Sequence, residues 1–115
     1  MLKKERRISR EYLKSLEKPI FFLNNGTLSV RVFENKDKGL CSKFSFSISK
    51  KIEKTAVVRN KMRRLGYDIV KEYMDSVKDG FFLKFVFNST YKDGIESYIK
   101  REILDMLNKA KLLKN

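Results

Sequence analysis

Apolar and polar residues alternate without a break through Lys43-Phe44-Ser45-Phe46-Ser47-Ile48-Ser49. A period of two places Phe44, Phe46 and Ile48 on one face of a strand and the three serines on the other. The first face enters a core. The second is small and polar, and reads either as a solvated face or as a groove lining rich in hydroxyl groups. A weaker alternation over residues 28–33 sets Leu28, Val30 and Val32 against Ser29 and Arg31, which predicts another strand. Residues 81–87 are almost wholly apolar and predict a strand buried on both faces.

Elsewhere the period lengthens to that of a helix. Val58, Met62, Leu65, Ile69 and Tyr73 recur at steps of four and three, one stripe of a helix that Thr55 can cap. Arg59, Asn60, Arg63 and Arg64 lie off the stripe, and Gly66 predicts a weak point where the helix breaks or bends. Ile95, Ile99, Ile103, Met106 and Ala110 predict a final amphipathic helix. Near the start, Ser9 can cap a short helix in which Tyr12 and Leu16 share a face beside Leu13, and Pro19 ends it. Asn24-Asn25-Gly26, residues 34–39, Asp79-Gly80 and residues 88–94 read as turns and loops. The order is α-β-β-α-β-α, with room for an extra strand between Leu28 and Ser49: an α+β or split βαβ sandwich.

Composition narrows the function. With 115 residues and 42% hydrophobic content the chain fits one domain over residues 1–115, with no internal repeat or linker. Residues 1–8 and 112–115 are expected to be its least ordered parts, with Lys3, Lys4, Arg6 and Arg7 as a basic tail making loose phosphate contacts. No apolar run reaches the roughly 20 residues of a membrane helix. The basic start lacks the apolar segment of a signal peptide, so a cytoplasmic location is expected. The lone Cys41 and the absence of His exclude an internal disulfide, a zinc site of Cys and His, and any Ser-His or Cys-His nucleophile. Catalysis by carboxylates stays open, without any cluster of Asp and Glu in the basic region to support it.

The net charge is +13, and it is concentrated. Residues 43–64 carry eight Lys and Arg against the single Glu53, whereas residues 65–115 carry nine against eight. A surface selected for solubility mixes the signs. A concentrated block is the footprint of a polyanion such as RNA.

Within that block, Ser47-Ile48-Ser49-Lys50-Lys51 leads into Ala56-Val57-Val58-Arg59-Asn60-Lys61-Met62-Arg63-Arg64. Here the chain resembles the protein subunit of bacterial ribonuclease P. That family has a strand ending in Ser-x-Ser-Lys-Lys and then a helix with Ala-Val-x-Arg-Asn-Arg-x-Lys-Arg. The resemblance implies an α-β-β-β-α-β-α sandwich with a left-handed βαβ crossover, a fold also found among ribosomal proteins. It implies a protein that assists a catalytic RNA in removing the 5′ leader of precursor tRNA, with Mg²⁺ bound mainly by the RNA and catalysis residing there. It implies two partners, ribonuclease P RNA and precursor tRNA, and neither a membrane nor a further protein. Carried over by position, Lys50, Arg59, Lys61, Arg63 and Arg64 become contacts to the catalytic RNA. Tyr12, Leu16, Ser47, Lys51 and Asn60 become contacts to the leader. Tyr12 and Leu16 stand where the family has two aromatics four apart, and both also read as plain core residues.

Four departures stand out. Lys61 replaces an arginine and loses its bidentate fork. Leu16 replaces an aromatic, Gly66 shortens the basic helix face, and the loop at Glu53-Lys54 is one residue longer than in some members. The rival readings are another RNA-binding protein of similar fold, such as a ribosomal protein, and a protein nuclease in its own right.

Overall fold

β-Branched and aromatic residues dominate the strands, and their alternation decides which face meets the helices. A computed structural model describes residues 3–16, 18–35 and 39–114. Its elements in order are α1 (Arg10–Ser15), β1 (Phe21–Asn24), β2 (Leu28–Glu34), β3 (Lys43–Ile48), α2 (Ala56–Tyr73), β4 (Phe81–Phe87) and α3 (Ile95–Lys109). The four strands form one sheet in the order β1-β2-β4-β3. β1 pairs antiparallel with β2, β2 antiparallel with β4, and β3 parallel with β4. The parallel pair is joined through α2, as a βαβ unit requires.

The α-β-β-β-α-β-α order is therefore realised, but the third strand lies elsewhere than expected. It precedes Leu28 instead of following it: β1 and β2 form a hairpin across Asn25-Gly26. Gly26 takes φ +86°, where a side chain would be strained, and its N–H donates to Asn24 Oδ1 at 2.8 Å. Pro19 and the short length of β1 hide this strand from pattern reading. The expected loop at 34–39 lies partly outside the described residues.

The main core lies between one sheet face and α2 with α3. Leu28, Phe44, Leu83, Phe85 and Phe87 of the sheet are fully buried with Met62 of α2 and Ile99 and Ile103 of α3. The opposite sheet face carries a smaller cluster of Ile8, Phe33 and Phe82, packed against Leu13 and Leu16 of the α1 region. β4 is thus covered on both faces only in part. Phe82 is buried beneath α1, while Lys84 and Val86 on the same face are half-buried.

Two further expectations change. α2 runs unbroken through Gly66. A Cβ there would collide with the Phe46 ring, so the glycine admits an aromatic instead of breaking the helix. Phe46 stacks on Phe85 with centroids 4.7 Å apart, and meets Tyr67 edge-on at 5.2 Å. The chain ends are also held where they are described. Ile8 is buried and its N–H donates to the Phe44 carbonyl at 2.9 Å, adding a one-residue bridge, Arg7 to Phe44, on the free edge of β3. Arg6 donates to the carbonyls of Ser42 at 3.1 Å and Met74 at 3.2 Å. Arg6 thus serves the fold instead of a loose tail. At the other end Leu112 is buried, and Leu113 bridges Val77.

Candidate nucleic-acid interface

β3 is an edge strand, and its outer rim needs hydrogen-bond partners. Three groups supply them: the Ile8 N–H to the Phe44 carbonyl, the Tyr67 hydroxyl to the Phe46 N–H at 3.4 Å, and Arg63 Nε to the Phe46 carbonyl at 3.2 Å. The N-terminal segment and α2 thereby meet along this rim and enclose a cleft of about 480 Å³. Arg7, Tyr12, Lys43, Arg63 and Tyr67 line it, together with Lys4 and the one carboxylate of the lining, that of Glu5. Arg7 Nε is buried there without a hydrogen-bond partner. A buried unsatisfied donor costs about 1–3 kcal/mol, a cost that the packing around Arg7 offsets.

Tyr12 is held at this site by local chemistry. The Ser9 side chain accepts from the Tyr12 N–H at 3.3 Å and caps α1, as the sequence predicts. The Tyr12 ring is half exposed, lies 5.5 Å from the Phe82 ring, and has the Lys43 ammonium 5.5 Å from its centroid. A ring with one face on the protein and a cation beside it is suited to stacking a base next to a phosphate. Leu16 does not share that exposed surface. It ends α1 with extended backbone and packs half-buried in the small cluster with Ile8 and Phe82, because the helix stops one residue short of it.

The signature residues divide by the work their side chains do. Arg59 Nη1 donates to the carbonyls of Glu53 at 2.9 Å and Lys54 at 2.8 Å, which fastens the loop before α2. The Lys61 ammonium sits 4.1 Å from the Tyr91 centroid. Arg63 is tied to β3 through Nε and is one of the residues that line the cleft. Arg64 and Asn60 are exposed on α2, and Lys50 and Lys51 are exposed in the turn after β3. Thr55 begins α2 without a side-chain cap; its N–H instead donates to the Glu53 carboxylate at 3.1 Å.

Tyr12 and Arg63, expected on two different RNA surfaces, thus line one cleft. The serine row does not act together. Ser45 is buried, Ser47 is exposed on the sheet face, and Ser49 lies beyond the strand, where its carbonyl accepts the N–H groups of Ile52 and Glu53 and its hydroxyl accepts that of Ile52.

Sequence reading gave no site role to Arg31, Lys84 or Phe22, and counted Lys43 in the basic block without assigning it a contact. The strand register aligns Phe22, Arg31, Lys84 and Ser45 in one row across the sheet face that α1 leaves uncovered. Arg31 lies 4.9 Å above the exposed Phe22 ring and directly opposite Lys84. Like charges so paired are destabilising unless an anion lies between them. The available signal was each lone charge within an apolar strand, which has to face out. That two such charges are neighbours depended on strand order. Among the described residues no group of three or more His, Cys, Asp or Glu could hold a metal, and no helix is long and apolar enough to cross a membrane.

Comparison with known proteins bears on the family and the fold. The family model described as Ribonuclease P matches residues 2–111. The Ribonuclease P protein component of Desulforamulus reducens is 36% identical over 62 residues, a match spanning 54% of this chain and 54% of that protein. Among solved structures, a Staphylococcus aureus RNase P protein mutant superposes with a TM-score of 0.77 at 22% identity, covering 96% of this chain and 92% of that one. The RNase P protein from Thermotoga maritima gives 0.64 at 17% identity, covering 90% and 96%. At these identities the two structures speak for the fold.

Proposed function

The chain belongs to the ribonuclease P protein family, and on that premise we propose that it is the protein subunit of ribonuclease P, acting in the cytoplasm on the 5′ ends of precursor tRNA. It binds the catalytic RNA and the single-stranded 5′ leader, and needs no other protein. Cleavage belongs to the RNA. The observation that carries this reading is the cleft on the β3 rim, where the half-exposed Tyr12 ring and the cations Arg7, Lys43 and Arg63 face one space. Stacking together with phosphate pairing and little base-edge reading is what an extended leader of variable sequence requires. Guanidinium groups match phosphate oxygens bidentately. The leader continues over the open sheet face, past Ser47 and toward Lys84 and Arg31. The outward side of α2 and the adjoining turn, with Asn60, Lys61, Arg64, Lys50 and Lys51, adjoin both RNAs. Mg²⁺ is assigned to the RNA partner, because ammonium and guanidinium groups dominate the cleft and repel a dication.

The test is reconstitution. Purified protein is mixed with a bacterial ribonuclease P RNA, and precursor tRNA cleavage is followed at low Mg²⁺. Strong stimulation over RNA alone, with no cleavage by protein alone, is the expected result. Tight RNA binding without stimulation would move the protein to another RNA-binding role. Cleavage by the protein alone would place the chemistry in its own carboxylates.

A further inference from the structure

Glu53 is the only acidic residue among residues 43–64, where eight cations are gathered. On a surface for a polyanion a negative charge opposes binding. Its carboxylate is nevertheless held by contacts from two parts of the fold. The Thr90 hydroxyl donates to Glu53 Oε1 at 2.5 Å, and the Thr55 N–H donates to Oε2 at 3.1 Å. The Glu53 main chain is fixed as well. Its N–H donates to the Ser49 carbonyl at 3.1 Å, and its carbonyl accepts from Arg59.

Thr90 lies in the connection between β4 and α3, and Tyr91 beside it carries the Lys61 ammonium on its ring. Two connections distant in sequence therefore clasp the first turns of α2. The Glu53 carboxyl sits below its ordinary range, first because of the Thr90 hydroxyl and then because of the Thr55 N–H, which agrees with a fixed and ionised group.

We propose that Glu53 and Thr90 are positioning residues for RNA binding: their hydrogen bond locks residues 49–55 so that Lys50, Lys51 and Arg59 meet phosphates already ordered. The inference rests on the RNA-binding role proposed above. Its physical basis is that ordering long side chains and a loop opposes association, and order present beforehand removes that cost. Charge and position predict opposite signs. By charge alone, losing Glu53 tightens RNA binding; by position, it weakens binding.

The cleanest variant is Thr90→Val, which removes the hydroxyl and leaves every charge in place. Binding of the full-length protein to transcribed ribonuclease P RNA is measured over a range of salt, and amide hydrogen exchange of residues 49–55 is followed without RNA. Thr90→Val is expected to lose roughly three- to tenfold in affinity, with an unchanged salt slope. The amides of Ile52, Glu53 and Thr55 should exchange faster. Thr90→Ser, which keeps the hydroxyl, should restore both readouts, and Glu53→Ala should weaken binding despite its added positive charge. Wild-type affinity in Thr90→Val, or tighter binding by Glu53→Ala, overturns the proposal and leaves the parent reading intact. If the unmodified protein binds no ribonuclease P RNA, the parent reading falls and this one falls with it.

Discussion

Gly66 shows how far a single residue can mislead a helix prediction. Its weak propensity suggests a break, worth about 1 kcal/mol relative to alanine. The structure uses its missing Cβ instead, since the Phe46 ring occupies that space. Gly66→Ala is therefore expected to destabilise the protein by about 1–3 kcal/mol, the usual cost of overpacking a core, and denaturant unfolding would measure it. A stabilised variant would mean that Phe46 can move aside. Glu53 offers a pH signature at the same scale. Its carboxyl is depressed in the fold from an ordinary 4.5. Its contribution is therefore fully present above that value and is lost as pH falls through the depressed one. The stability difference between the wild type and Glu53→Ala should accordingly close on acidification. A difference independent of pH would mean that its hydrogen bonds do not depend on ionisation.

Among the elements, α1 depends most on its context. Six residues are too few to be stable alone, so the helix persists through the Ser9 cap and the cluster of Ile8, Leu13, Leu16, Phe33 and Phe82. That cluster sets where Tyr12 stands. Ile8→Ala is expected to cost about 2–5 kcal/mol, as core truncations do. It should also weaken binding of precursor tRNA while leaving mature tRNA unaffected. Equal losses for both RNAs would separate α1 from the leader. β1 and the β1–β2 hairpin show the opposite case. The turn at Asn25-Gly26 was legible, but the four-residue strand before it was too short for a period to register.

For the molecule as a whole, charge and topology act together. Net charge of +13 draws RNA from a distance, and binding should weaken steeply with salt. The cations should not contribute alike. Arg64 is exposed, whereas Arg63 also closes the rim of β3 through Phe46. Arg64→Ala is expected to lower the salt slope of RNA binding by about one unit without affecting stability. Arg63→Ala should lower both. Equal stability of the two variants would show that the Arg63 bond to β3 contributes nothing to the fold.

The sequence by itself determined the types of the elements other than β1, the α2 stripe, the Ser9 cap, the basic block and the α+β class. Each of these depends on neighbours within a few positions, where side-chain period and charge are local facts. Tertiary structure alone decided which distant residues became neighbours. It placed Lys84 opposite Arg31, Tyr12 and Arg63 in one cleft, Thr90 on Glu53, and a phenylalanine ring in the space left by a glycine. Strand order and helix crossing set those distances, and neither is written in the period of the chain.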